Sequence, residues 1–360
     1  MNSQTNVIIN EVSHLVNDFN SLRPVLEKQI SEQIKDINSN ALSKIYVVGS
    51  GDSYFAGLVV KSVFDLIPDL TCEVINTFTL INYIEIPIQQ EEKSKILVIA
   101  VSSSGNSPRM IQGLEKLREN KVKSLILTAN PEAKALGIAN YCLKVQLLDK
   151  SKSPGIRTFQ VSLLGLILLA SKLGLERNAE NRKLKIIYNS LPNVSKFIDS
   201  NFDKIKSFSF ALASEIVPFS TLIYLGSGPN YGIAKYSAAK LIETTATLTI
   251  GQDVEEWWHV ERFLKPFDMP ILMFVPDGPS LKRALEIREA ALELGRSVYL
   301  LTMASDSSDE NNDLDEMSFL NLKGELPEEL TVFVYYIFSC FISDYTARAK
   351  GSTFFEKSHE

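Results

Sequence analysis

The stretch Ile96-Leu97-Val98-Ile99-Ala100-Val101-Ser102-Ser103-Ser104-Gly105-Asn106-Ser107-Pro108 decides how the chain is read. Six apolar residues without alternation describe a strand buried on both faces, the kind that fills parallel sheets. The small polar cluster ends that strand, and Pro108 opens a helix-like period that runs to Asn120. Ser107 suits the N-cap of that helix. The free N–H groups of its first turn would then carry positive potential toward whatever lies above them. A phosphate fits such a place: serine hydroxyls donate to its oxygens without adding charge, and Gly105 lets the backbone come close. The plainer alternative is a serine-rich connection that only caps a helix. A Walker loop (GxxxxGK[ST]) and a GxGxxG fingerprint are both absent.

Working outward, the same alternation recurs. Strands are predicted at Ile45–Gly49, Cys72–Asn76, Ser124–Thr128 and Tyr141–Val145 around Ile96–Val101, with helices over Ser53–Leu66 and Pro108–Asn120 and a shorter one over Ala133–Ala139. It then repeats: strand Leu222–Gly226, helix Tyr231–Thr245, strand Ile271–Val275, helix Ser280–Leu294, strand Val298–Thr302. Tyr46-Val47-Val48-Gly49-Ser50-Gly51 and Tyr224-Leu225-Gly226-Ser227-Gly228 both end a strand in a small-residue loop that opens a long helix. The expected class is therefore α/β, with two duplicated units, each a mostly parallel five-stranded sheet between helical layers, flavodoxin-like. The expected boundaries are an N-terminal helical segment over 1–43, a first unit over 44–180, a helical connection over 181–208, a second unit over 209–345 and a tail over 346–360. Ser305–Glu316, acidic and Asn-rich, reads as a solvated loop.

The 360 residues carry 37 basic and 43 acidic side chains, a net charge of −6, with no basic run to neutralise a nucleic-acid backbone or hold an anionic membrane. Neither nucleic acid nor a membrane is an expected partner. Cys72, Cys142 and Cys340 sit singly in apolar stretches and read as core thiols. The start of the chain shows no basic segment followed by an apolar run, so a cytoplasmic setting is expected. Leu163–Ala170 and Leu330–Ile342, the most apolar segments, are shorter than the ~20 residues of a membrane span and read as buried helices.

Lys240 and Glu243, three apart on a predicted helix, share one face. Taken alone they are an ordinary surface ion pair. His259 stands in Asp253-Val254-Glu255-Glu256-Trp257-Trp258-His259, behind both tryptophans of the chain. It can serve as an acid or base near neutral pH, although a buried structural histidine would look the same. Three scattered histidines and single cysteines give no metal-ligand spacing, and no GxSxG elbow suggests a hydrolase.

From about Lys44 onward these motifs resemble the tandem sugar-isomerase (SIS) family, including the isomerase domains of glucosamine-6-phosphate synthases. Gly51-Asp52-Ser53 is similar to that family's Gly-x-Ser turn, and Ser102–Ser107 to its Ser-x-Ser-Gly-x-[Ser/Thr] phosphate loop. The family's Lys-x-x-Glu is matched by Lys240 and Glu243, and its histidine sixteen residues beyond by His259. Lys357-Ser358 looks like the lysine of its C-terminal tail. The resemblance implies that Ser102, Ser103, Ser104 and Ser107 hold a sugar phosphate, with Gly51 and Ser53 beside the sugar. It implies that His259 assists ring opening, supplied across a homodimer interface, and that Glu243 moves a proton between C1 and C2. Lys240 would support charge on the adjacent oxygens, and Lys357 would form a Schiff base or position the open chain. No cofactor or metal is implied.

The sequence departs from the family at three places. Val260-Glu261 replaces the usual Gly-Pro after the histidine, Pro154–Thr158 replaces a later serine motif and adds Arg157, and no glutaminase region with a cysteine near Met1 is found. The expected activity is thus isomerisation of a sugar phosphate or deamination of an amino-sugar 6-phosphate, without glutamine. A fructosamine-6-phosphate deglycase is the chemical alternative, and a non-catalytic sugar-phosphate sensor the alternative of another class.

Overall fold

A computed structural model describes residues 7–266, 268–303 and 318–352. In chain order its elements are α1 (Val7–Ser13), α2 (Leu15–Gln33), β1 (Lys44–Gly49), α3 (Asp52–Phe64), β2 (Thr71–Asn76), α4 (Thr77–Asn82), α5 (Gln90–Ser94), β3 (Ile96–Val101), α6 (Pro108–Glu119), β4 (Lys123–Thr128), β5 (Tyr141–Lys144), α7 (Arg157–Arg177) and α8 (Arg182–Ile216). They continue with β6 (Thr221–Gly226), α9 (Pro229–Thr245), β7 (Leu248–Gln252), α10 (Val254–His259), β8 (Ile271–Val275), α11 (Leu281–Glu293), β9 (Val298–Thr302), β10 (Phe319–Asn321) and α12 (Glu328–Lys350). Two compact units emerge. One comprises His14–Lys150 and Arg157–Pro192; the other, the described parts of Met1–Ser13, Ser151–Ile156 and Asn193–Glu360.

The first unit is an all-parallel sheet of order β2-β1-β3-β4-β5. Alternate residues of its central strands point to opposite faces. Tyr46, Val48, Val98 and Ala100 pack with Met110, Leu114 and Leu117 of α6 on one side. On the other, α3 comes so close that a Cβ on Gly57 would lie 3.1 Å from Val47 Cγ1 and 2.7 Å from Val74 Cγ1, which is why a glycine stands there. The short α4 is fastened to α6 by Lys116, whose ammonium donates to the carbonyls of Leu80, Ile81 and Ile84 at 2.9–3.0 Å. Ala133–Ala139, read as a short helix, is one 3-10 turn over Lys134–Gly137.

Arg157 is 2% exposed, and its guanidinium meets Asp18 of α2 through two bonds, Nε to Oδ2 at 2.6 Å and Nη2 to Oδ1 at 2.9 Å. A third bond runs to the Leu148 carbonyl at 2.8 Å. The arginine that replaces a serine motif is thus a structural clamp between α2 and the start of α7.

The second unit repeats the plan: its parallel sheet has order β10-β9-β8-β6-β7. β7 and β10 were not expected from the sequence; β10 has only three residues, and β7 is interrupted by Gly251, whose Cβ would strike the Ala234 carbonyl at 2.5 Å. The N-terminal α1 belongs here, as do residues 151–156. Glu11 of α1 accepts from the Ser151 N–H at 2.9 Å, and the Tyr236 hydroxyl donates to the Gly155 carbonyl at 2.9 Å. α12 packs along α9, with Ser237 and Ser339 hydroxyls 2.5 Å apart. The two apolar segments lie in helices longer than the sequence suggested, 21 residues for α7 and 23 for α12, and both are almost wholly buried. Ser305–Glu316 lies outside the described residues.

Two predictions follow from buried charge. Arg157→Ala leaves Asp18 without its partner, so a loss of about 3–5 kcal/mol is expected in urea denaturation; a loss below ~1 kcal/mol would show the pair to be effectively solvated. Asp344 of α12 is buried beside Arg348 at 2.7 Å, and burial pushes its carboxyl up to about 6. The folded chain therefore holds this proton more tightly than the unfolded chain does. The stabilisation is complete below about pH 4 and is lost as pH rises through about 6. Asp344→Asn should flatten the stability profile between about pH 4 and 7, and equal slopes in variant and wild type would contradict it.

Candidate functional site

In the first sheet the chain leaves β1 toward β2 and then returns to β3 on β1's other side. The connections from β1 and β3 thereby pass to opposite faces, and a crevice opens outside their carboxyl ends. Ser50-Gly51-Asp52-Ser53 ends β1 and begins α3; Ser102–Ser107 ends β3 and begins α6. The structure brings both predicted ligand loops to this place. Gly51 takes φ 55° and ψ −128°, a conformation other residues rarely adopt, and a Cβ there would meet nothing within 4 Å. Ser50 Oγ lies 3.0 Å from Thr77 Oγ1 at the end of neighbouring β2.

The Ser102–Ser107 loop is fixed by its own side chains. Ser102 Oγ accepts from the Gly105 N–H at 3.1 Å, Ser104 Oγ from Asn106 N–H at 3.3 Å, and Ser107 Oγ caps α6 by accepting from Met110 N–H at 3.4 Å. Each hydroxyl accepts from backbone and keeps its own proton to donate, the arrangement an anion needs. The segment after β4 grips the loop from behind. Thr128 Oγ1 donates to the Ser103 carbonyl at 3.1 Å, Asn130 Nδ2 to the Ser104 carbonyl at 2.9 Å, and the Lys134 N–H to Asn106 Oδ1 at 2.8 Å. Sequence reasoning missed Thr128, Asn130 and Thr77, although polar residues at the carboxyl ends of neighbouring strands were the available signal. Ser102 is buried, whereas Ser104 and Ser107 are exposed.

In the second unit α9 brings Lys240 and Glu243 together. Lys240 is 2% exposed, its ammonium 2.5 Å from Glu243 Oε2 and 5.1 Å from the centre of the Tyr236 ring. The pair is therefore no surface ion pair: burial excludes water from the lysine while the carboxylate stays about a third exposed. Such a carboxylate can take up and return a proton beside a fixed positive charge. Tyr236, one turn before Lys240, was legible only as part of a helix face.

His259 ends α10 and is exposed, not a buried structural histidine. Its Nε2 lies 3.2 Å from Glu255 Oε1, and Arg283 grips Glu255 through two bonds of 2.6 and 3.0 Å. Arg283 holds that carboxyl below the usual range. Among the described residues His259 makes no hydrogen bond to Lys240 or Glu243. Trp257 is the buried member of the motif, and Trp258 stacks under Arg262 at 4.3 Å. Lys357 lies outside the described residues.

Comparison with known proteins matches residues 40–171 to the profile of the SIS domain. Residues 40–171 are a SIS domain. Both predicted ligand loops of the first sheet fall within this SIS domain. Beyond it, the chain is 24% identical over 345 residues to a glutamine–fructose-6-phosphate aminotransferase (isomerizing) of Buchnera aphidicola, an alignment covering 92% of this chain and 54% of that protein. The chain thus spans about half the length of this curated relative. Among solved structures, the C-terminal domain of glucosamine-fructose-6-phosphate aminotransferase from Francisella tularensis superposes with a TM-score of 0.81 at 16% identity, covering 97% of each chain. A glucosamine-6-phosphate deaminase from Thermotoga maritima gives 0.68 at 16% identity, covering 96% of this chain and 95% of its own. At these identities the structures establish the fold.

The SIS-domain loop turns on Gly105, at φ 60°, where a Cβ would lie 2.4 Å from Ala133 Cβ. Gly105→Ala is expected to cost about 1–3 kcal/mol in thermal or urea unfolding. An unchanged midpoint would mean the loop yields without strain.

Proposed function

We propose that the chain is an enzyme acting on a hexose or amino-sugar 6-phosphate by proton transfer between C1 and C2. The observation that carries this reading is the buried Lys240 held against Glu243. Desolvating an ammonium is costly, and a protein that only sensed a sugar phosphate would have little use for it. In this reading the phosphate binds the hydroxyls of Ser102, Ser104 and Ser107 and the first turn of α6, with Ser103, Gly51 and Ser53 beside it. The sugar ring opens with His259 as acid. Glu243 takes the C2 proton of the open-chain aldose, the electron pair moves into an enediol or enolamine, and the same carboxyl returns the proton to C1. Lys240 steadies the charge that develops on the adjacent oxygen. Lys357 is assigned to the open-chain sugar. Passage of the O2 proton to O1 completes ketose formation; in an amino sugar the same C2-to-C1 shift leaves an imine at C2, which water hydrolyses to the ketose and ammonia.

The reading includes a homodimer in which His259 serves the partner's sugar, and a cytoplasmic setting, which cysteines that form no disulfide among the described residues support. It uses neither a metal nor an organic cofactor, and ammonia rather than glutamine is its nitrogen currency. Turnover is to be measured on glucosamine, glucose, fructose and N-acetylglucosamine 6-phosphates and on fructosamine conjugates, with ammonia and sugar products followed directly. Glu243→Gln should lower kcat by about 10²–10⁴-fold while leaving phosphosugar binding in place. Release of an amino acid from fructosamine conjugates would move the reading to a deglycase. Binding without any product in the wild type would replace the enzyme by a sensor.

A further inference from the structure

The duplicated sheets offer two equivalent crevices, one between β1 and β3 and one between β6 and β8. Their first loops match closely: Gly51 has φ 55° and ψ −128°, Gly228 has φ 56° and ψ −129°, and each precedes a long helix. What stands above them differs. A Cβ on Gly51 meets nothing within 4 Å, whereas a Cβ on Gly228 would lie 3.6 Å from Glu328 Oε1. A Cβ on Gly278, in the loop after β8, would lie 2.9 Å from Glu328 Oε2. The carboxylate of the first residue of α12 is therefore in contact with both loops of the second crevice, at the N-terminus of α9.

The loop chemistry differs in the same direction. Ser102–Ser107 is replaced after β8 by Pro276-Asp277-Gly278-Pro279-Ser280; this loop has one hydroxyl, that of the α11 N-cap residue Ser280, carries an exposed carboxylate at Asp277 and loses an N–H at each proline. Asn230, the second residue of α9, is fully buried, and neither its amide nitrogen nor its oxygen has a hydrogen-bond partner. The mouth of the second crevice is thus taken by an anion of the chain itself. Glu329 stands equally in the first turn of α12, so serving that helix's own dipole does not explain why Glu328 is drawn to Gly228 and Gly278.

We propose that Glu328 is an internal anion that occupies the second crevice, so that the chain takes one phosphosugar and not two. The inference deepens the reading given under Proposed function, because it takes the first crevice as the phosphate site. In the second unit Glu328 does for α9 what a phosphate does for α6: it places negative charge at a helix N-terminus and fixes the start of the helix that carries Lys240 and Glu243.

The test is binding stoichiometry by calorimetric titration of the full chain with inorganic phosphate. Wild type is expected to bind one equivalent. The paired substitutions Glu328→Gln and Asp277→Asn, which keep shape and remove charge, are expected to add a second. Failure to gain an equivalent over wild type overturns the proposal, as does a wild type that already binds two. A wild type that binds none removes the phosphate assignment of Ser102–Ser107, while the gain or lack of gain on the paired substitutions still decides the role of Glu328. Should that variant not fold, Ser104→Ala with Ser107→Ala and Glu328 intact provides the second arm. It is expected to bind no phosphate, and one remaining equivalent would show the second crevice open.

Discussion

The Ser102–Ser107 loop owes its place to one constraint of parallel sheets. Parallel strands can be joined only by crossovers, the crossovers keep one hand, and a chain that adds β2 on one side of β1 and β3 on the other must split its covering helices. The split leaves backbone N–H groups and loop side chains facing a gap that no element fills. A sheet of order β2-β1-β3-β4-β5 therefore comes with a place for a ligand built in, and the sequence needs only to choose what lines it. In the SIS domain it chose serines, a glycine and a helix N-terminus.

Strands were the most legible feature of the sequence, because buried parallel strands are uninterrupted apolar runs: Ile96–Val101, Ile271–Val275 and Val298–Thr302 end where the sequence suggests. β7 and β10 escaped because one is broken by a glycine at a close approach and the other is too short to form a pattern. The Ser102–Ser107 loop was legible because its features lie in adjacent residues. Its support was not, since Thr128 and Asn130 act across the sheet from more than twenty positions away. Arg157 posed the same difficulty in stronger form, as its partner Asp18 is 139 positions distant.

Burial decided how Lys240, Glu243 and His259 are to be read, and burial is what single-residue reading handles worst. Lys240 and Glu243 at three-residue spacing look like thousands of surface pairs, yet Lys240 is enclosed. His259 looked equally able to be a core histidine, yet Trp257 took the core position and left the imidazole in solvent. Val254 and Trp257, three apart, share the buried face of this six-residue helix, and His259, two beyond Trp257, falls off that face.

Although the two sheets repeat one plan, the halves of the chain are not interchangeable parts. α1 and residues 151–156 belong with the second sheet, tied to it by Glu11, Ser151 and the Tyr236 hydroxyl, although both precede that sheet in sequence. A gene cut at Pro192 would give a C-terminal fragment stripped of two of its own pieces, and an N-terminal fragment carrying α1 and residues 151–156 without their seat. Such lacing makes either unit harder to separate from the chain than two sheets of matching plan would suggest. Lineages that tried to exchange one half would have to inherit its distant strands of support as well.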